Sequence, residues 1–214
     1  MNFLWVKTNT IIKKLFSNYV WSISTNEPKV YLTFDDGPTP EITEWVLEQL
    51  KKYEAKATFF CIGNNIEKYP AIFEKVINEG HTIGNHTFNH VKGWETTNKT
   101  YLNEVHNCEE IIQKSSIENH QSKLFRPPYG KIKPSQSKAL RKKGFKIIMW
   151  DVLSVDFDKN ITPEKCLNNV IDNVENGSII VFHDSVKAFQ NLEIALPKTL
   201  DFLKKKGFVC EKLL

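Results

Sequence analysis

Cysteine is scarce in this chain, four residues in 214, at positions 61, 108, 166 and 210. No two stand in C-x-x-C spacing, which excludes a cysteine zinc site, and four scattered thiols are too few for a disulfide framework. They read as reduced thiols, several of them buried, and point to a reducing compartment. Long apolar runs are missing too, so no segment is expected to span a membrane. The first 26 residues carry lysines at 7, 13 and 14 but lack the unbroken apolar stretch of a cleavable export signal. Location is therefore expected to be cytoplasmic, membrane-peripheral or in the cell envelope. Concentrated positive charge is also absent. The net charge is +4, and the longest basic run, Lys204 to Lys206, falls late in a predicted helix, where it solvates the helix end. With no basic stripe, a nucleic-acid partner is excluded. No internal repeat, low-complexity tract or second domain breaks the chain.

What remains is ordinary globular material: 41% hydrophobic and 25% charged residues, enough for one sizeable core. Residues 1–28 read as an N-terminal amphipathic helical segment. Ile11, Ile12, Leu15, Phe16, Tyr19 and Val20 recur at helical spacing. That face is expected to pack on the protein's own body; the alternative is peripheral contact with a membrane surface. Residues 29–214 form a single unit in which short β-branched and aromatic runs alternate with helical stretches. Strands are predicted at 30–34, 57–61, 82–84, 124–125, 145–150, 178–182 and 208–210, with a turn at Gly63. About seven strands alternating with helices predict an α/β fold, a distorted or partial (β/α) barrel with a mostly parallel sheet.

In such barrels, chemistry collects where strands end. Here the strand ends carry Asp35 and Asp36, then His86 and His90, then Arg126, then Asp151 and Asp156, then His183 and Asp184. His86 and His90 stand four apart, which on a helical turn would put both imidazoles on one face. With a carboxylate from another strand end they make a three-ligand metal set that leaves room for water and substrate. Without that carboxylate, the pair reads as two surface or capping histidines. Adjacent acids at a strand end point in different directions. One of the Asp35–Asp36 pair can thus bind metal while the other faces the bound water.

Four ordered motifs sharpen this picture: Thr33-Phe34-Asp35-Asp36-Gly37-Pro38, His86-Thr87-Phe88-Asn89-His90, Arg126-Pro127-Pro128-Tyr129-Gly130 and Val181-Phe182-His183-Asp184. From about Lys29 to the C-terminus the chain resembles the polysaccharide deacetylases of carbohydrate esterase family 4, the NodB-homology domain. The resemblance implies that 29–214 is a catalytic domain acting on acetylated glycans. It implies metal-dependent hydrolysis of acetyl groups from N-acetylated amino sugars, as in peptidoglycan or chitin-like oligosaccharides. By the same resemblance Asp36, His86 and His90 hold a divalent metal, most often Zn2+, with Co2+, Ni2+ or Mn2+ as alternatives. Asp35 is the implied general base, Arg126 its orienting partner and His183 the general acid. Tyr129 would give a backbone N–H to the oxyanion. Pro127, Phe157 and Val181 would line the substrate side, with Val181 in the acetyl pocket; Trp94, by its place in a polar loop, is a candidate substrate wall, the alternative being core packing.

One signature departs from the family pattern. The family's Asp-x-x-Asp-Trp aligns here with Leu153, Asp156 and Phe157. In the resemblance the first of these Asp residues supports the catalytic histidine, and Asp151, on the same strand face as Leu153, is the candidate to replace it. Three other functions stay open. The chain could be an O-acetyl esterase on a polysaccharide such as acetylxylan, a glycan-binding relative without activity, or a hydrolase of a different amide.

Overall fold

The computed structural model describes residues 5–115 and 123–213, so Met1 to Leu4 and Leu214, at the outer ends of the two expected segments, lie outside the described residues. The apolar runs form β1 (Lys29–Asp35), β2 (Ala57–Cys61), β3 (Thr82–Asn85), β4 (Leu124–Phe125), β5 (Lys146–Ile147), β6 (Val152–Leu153), β7 (Ile179–His183) and β8 (Val209–Cys210). The intervening helices are α1 (Thr10–Leu15), α2 (Ile42–Lys52), α3 (Gly63–Lys68), α4 (Pro70–Asn78), α5 (Asn98–Ser115), α6 (Pro134–Lys142), α7 (Pro163–Ile171) and α8 (Phe189–Lys205). All the strand pairings are parallel, as helical crossovers require. The order is β5-β4-β3-β2-β1-β7-β6, with β8 beside the start of β1.

Burial on both faces explains the composition of the central strands. All of β2 is buried, and Phe34 of β1 lies between Phe59 and Phe182, its ring centroid 5.1 and 6.1 Å from theirs. Each such side chain removed from water contributes roughly 1.5–3 kcal/mol. The helices close over this layer with helically spaced residues, Val46, Leu47 and Leu50 on α2 and Leu192, Leu196, Leu200 and Leu203 on α8.

The structure alters three expectations. The strand predicted at 145–150 shortens to β5, and β6, at the opposite end of the sheet order, follows beyond the predicted bounds. β5 pairs with β4, then the chain runs through Ile148–Asp151 and β6 pairs with β7. This single stretch links the two edge strands of a distorted, partial (β/α) barrel of seven strands, with no pairing between β5 and β6 among the described residues. Gly63 begins α3 and does not make a simple turn. Its carbon packs so close to Phe88 and Cys108 that an added Cβ would lie 2.6 Å from the Phe88 ring.

The N-terminal helix is also shorter than its periodicity suggests. Only Thr10–Leu15 is helical, and the chain leaves the helix at Phe16 (φ −110°, ψ 49°). Tyr19 and Val20 therefore do not share a helical face with Ile11 and Leu15, which are 72% and 71% exposed. The segment packs on the barrel by other means. Lys7 bridges Val152, Val20 bridges Ile148 and Ser22 bridges Ser178. The Lys7 and Lys13 ammonium groups meet the fully buried Asp151 carboxylate at 2.7 and 2.6 Å. Among the described residues, no helix is long and apolar enough to cross a membrane. The four cysteines are free thiols, Cys61, Cys108 and Cys166 buried and Cys210 half-buried.

Candidate active site

Parallel pairing brings strand ends together on one rim. Asp35 is in register with His183 on β7 and Phe60 on β2, and Asn85 with Phe125 on β4. The residues one step further, Asp36, His86 and Arg126, therefore arrive at the same place.

Arg126 is fully buried, so its guanidinium needs partners for its donors. It donates to Asp35 Oδ1 and Thr33 Oγ1, both at 2.7 Å, and to the Met149 carbonyl at 2.9 Å, while its flat face lies 4.1 Å from the Phe60 ring centroid. Burial pushes its pKa down from the ordinary arginine value, and the Asp35 carboxylate opposes that shift. This ion pair holds one Asp35 oxygen in a fixed direction.

Asp36 turns away from β1 at φ 84°, with its carbonyl accepting from Asn65 Nδ2 at 2.8 Å. The turn is braced behind by Asp184, which accepts the Gly37 N–H at 3.1 Å and the Thr43 hydroxyl. A Cβ on Gly37 would lie 2.0 Å from Asp184 Oδ2, so the approach requires glycine.

His86 and His90 do not sit on a helical turn. Thr87 (φ 66°) and His90 (φ 55°) take left-handed conformations. The loop is pinned from outside by Gly63 N–H on the Thr87 carbonyl and Phe88 N–H on the Glu104 carbonyl, each at 3.0 Å. The result still brings the rings together, centroids 5.0 Å apart. Asp36 Oδ1 faces His90 Nε2 at 3.2 Å and His86 Nε2 at 3.7 Å, yet it is buried without a well-directed hydrogen bond. The Arg126 carbonyl, 2.7 Å from His86 Nδ1, can only accept, so Nδ1 carries the hydrogen and Nε2 keeps its lone pair. Burial pushes His86 down to about 4, which keeps it neutral near pH 7. One atom from each of Asp36, His86 and His90 lies within 4.8 Å of the others. Two ligands on a tetrahedral zinc stand roughly 3.4 Å apart, from bonds of about 2.1 Å. An unpartnered carboxylate oxygen, a neutral imidazole with its lone pair inward and these separations fit a divalent metal.

His183 stands across the site. Its Nδ1 donates to Asp156 Oδ1 at 2.8 Å, and its backbone N–H donates to Asp156 Oδ2 at 2.8 Å. Burial by itself would lower the imidazolium pKa. The Asp156 carboxylate, helped by the charges of Asp36 and Asp35, outweighs that and pushes it up to about 9. The support expected from Asp151 therefore comes from Asp156. Asp151 is taken by Lys7, Lys13 and Ser178 below the rim. Val155, at φ 63°, turns the chain so that the next residue points back under His183.

Leu153 packs with Val155 and Val181, and with Trp150 and Phe157 at the margin, as an apolar wall. The Phe157 ring meets His183 edge-on at 4.9 Å. Opposite, Tyr129 (φ 58°) lays its ring 4.7 Å from His90 and is 56% exposed. Pro127 is buried just before it. Trp94 stands further out, 60% exposed, with its indole N–H on the Ile132 carbonyl at 3.2 Å. Beyond the predicted residues, Thr33 and Asn65 also hold site groups. Thr33 sits inside the first motif, which could have flagged it. Asn65 had no signal.

Known proteins resemble this chain over most of its length. A family model described as polysaccharide deacetylase matches residues 22–148. A peptidoglycan-N-acetylglucosamine deacetylase of Bacillus cereus is 39% identical over 190 residues, covering 88% of this chain and 68% of that one. A chitooligosaccharide deacetylase of Azorhizobium caulinodans is 34% identical over 165 residues, covering 76% of each. Among solved structures, a peptidoglycan N-acetylglucosamine deacetylase in complex with an N-hydroxybenzamide compound superposes with a TM-score of 0.84 at 36% identity, covering 94% of both chains. With the motifs, the barrel and the relatives in agreement, this chain belongs to the polysaccharide deacetylase family.

Proposed function

We propose that the site hydrolyses the acetamide of N-acetylated amino sugars in a glycan of the peptidoglycan or chitin-oligosaccharide kind, releasing acetate and a free amine. The observation that carries the reading is the pairing of two separately held groups around one ligand set. Asp35 is fixed by Arg126, and His183 is fixed by Asp156, on either side of Asp36, His86 and His90. A divalent cation held by those three, zinc in our reading, would supply Lewis acidity toward water and the acetyl carbonyl.

The chain's own groups account for the proton movements. Asp35 takes a proton from the attacking water, and its Arg126 contact keeps one carboxylate oxygen aimed. His183 gives a proton to the departing nitrogen, without which an amine is a very poor leaving group. Its raised pKa keeps that proton in place at neutral pH. The backbone N–H of Tyr129 serves the oxyanion. The wall of Leu153, Val155 and Val181 accepts the acetyl methyl, while Phe157, Pro127 and Trp94 bound the sugar side.

The test is acetate release, with zinc, cobalt, nickel or manganese added, from N-acetylglucosamine oligomers, peptidoglycan and acetylxylan in parallel. Amino-sugar substrates should release acetate fastest. Release from acetylxylan alone would make the chain an O-acetyl esterase, and release from none would leave a glycan-binding protein.

A further inference from the structure

Each flank of the site carries a lysine seated on the aromatic ring that leans on a site imidazole. On one side the Lys92 ammonium lies 5.3 Å from the Tyr129 ring centroid, and Tyr129 lies 4.7 Å from His90. On the other the Lys187 ammonium lies 5.5 Å from the Phe157 centroid, and Phe157 lies 4.9 Å from His183. Added end to end, these distances place neither cation more than about 10 Å from its imidazole, within roughly one screening length at about 0.1 M salt or below. A third ammonium, Lys131, lies 5.4 Å from the Trp94 ring and extends the first flank outward. Lys92 is partly matched by exposed Glu95 at 3.3 Å, whereas exposed Lys187 makes no ion pair among the described residues.

The acids of the site do not cancel this charge. Asp35 is matched by Arg126, and Asp156 by His183. The charge of Asp36 would be more than offset by a divalent cation held with His86 and His90. Cations on both flanks of the site, each held near an aromatic ring, suit a chain of sugars that carries negative charge beside the reacting acetamide.

Resting on the deacetylase reading above, we propose that Lys92 and Lys187 make this site selective for anionic N-acetylated glycans, bearing a carboxylate or phosphate on the reacting sugar or its neighbour, over neutral ones. The lysines bind the substrate's charge and take no part in the chemistry. Their effect falls on capture and so on KM, and salt weakens it.

The experiment compares kcat/KM of the metal-loaded full chain on three soluble oligosaccharides of equal length. One is a neutral N-acetylglucosamine oligomer. The second contains sugars with a lactyl carboxylate, and the third carries a phosphate. At low ionic strength the anionic substrates should be favoured about 10-fold over the neutral one, from two exposed charges of modest strength each. Lys92→Gln and Lys187→Gln should each cut that ratio about 3-fold through KM, Lys→Arg should restore it, and about 0.5 M salt should erase it. The carboxylate and phosphate arms tell which anion is preferred. Equal kcat/KM for neutral and anionic substrates, or a ratio unmoved by both glutamine variants, overturns the proposal while leaving the deacetylase reading intact. No acetate from any of the three overturns both.

Discussion

Replacing Asp156 by asparagine isolates the electrostatic hold on His183. The carboxylate touches the imidazole Nδ1 and the backbone N–H of the same residue, both at 2.8 Å, and is fully buried. With it, His183 sits at about 9. The amide of Asp156→Asn would keep an acceptor of similar shape but remove the charge, so the pKa should fall toward the ordinary histidine value near 6.5. A general acid works only while protonated, and its activity is lost as pH rises through its pKa. At pH 8 a group of pKa 9 is about nine-tenths protonated and one of pKa 6.5 about one-thirtieth. Turnover at pH 8 should therefore drop about 30-fold in the variant, and much less at pH 6. The measurement is kcat for acetate release between pH 5.5 and 10, with thermal melting to verify that the variant is folded. The alkaline limb should move down by about two and a half pH units. A folded variant whose alkaline limb stays in place would refute both the acid role of His183 and the assignment of its support to Asp156.

Further predictions concern the other charged groups. Asp35→Asn should retain zinc binding, read by competition with a chromogenic chelator, while turnover falls about 10²–10⁴-fold; His86→Ala should lose zinc and turnover together. His81 is buried, accepts the Ala57 N–H at 3.2 Å and is pushed down to about 4 by burial. Its lowered pKa makes the protein lose stability as pH falls below 6.5, until the folded-state value is reached. Urea unfolding at pH 7 and 4.5 should therefore show a drop about 2–3 kcal/mol smaller in His81→Asn than in the parent chain. Asp151→Asn should release the N-terminal segment, so that limited proteolysis cuts before residue 24 much faster than in the parent, with turnover little changed. Gly37→Ala, forced against Asp184, should cost about 1–3 kcal/mol in thermal unfolding.

The rim was legible in the sequence because parallel strands joined by helices deliver every strand end to one side. Asp35, Asp36, His86, Arg126 and His183 could be gathered there without coordinates. What the sequence hid was set by distant partners and by left-handed residues. Nothing local shows that Asp151 meets Lys7 and Lys13 from the far end of the chain, or that Val155 reverses the backbone so that Asp156 reaches His183. The same applies to His86 and His90. Their spacing suggested a helical turn, but contacts from α3 and α5 hold a kinked loop that reaches a similar juxtaposition. The helical period of the N-terminal segment was misleading past Leu15, because pairing of Val20 with Ile148 outcompetes a further turn.

The stretch that ends at β6 works like the pin of a double hinge. One short length of chain fastens β4 on its way in and β7 on its way out, so movement at one seam is passed to the other. An edge strand that peels away pulls on the opposite edge through a link of four residues, Ile148 to Asp151. The amide protons of Ile148 and Asp151, bonded to Phe125 and Ile179, should accordingly exchange more slowly than those of Met149 and Leu153, which are bonded to the N-terminal segment.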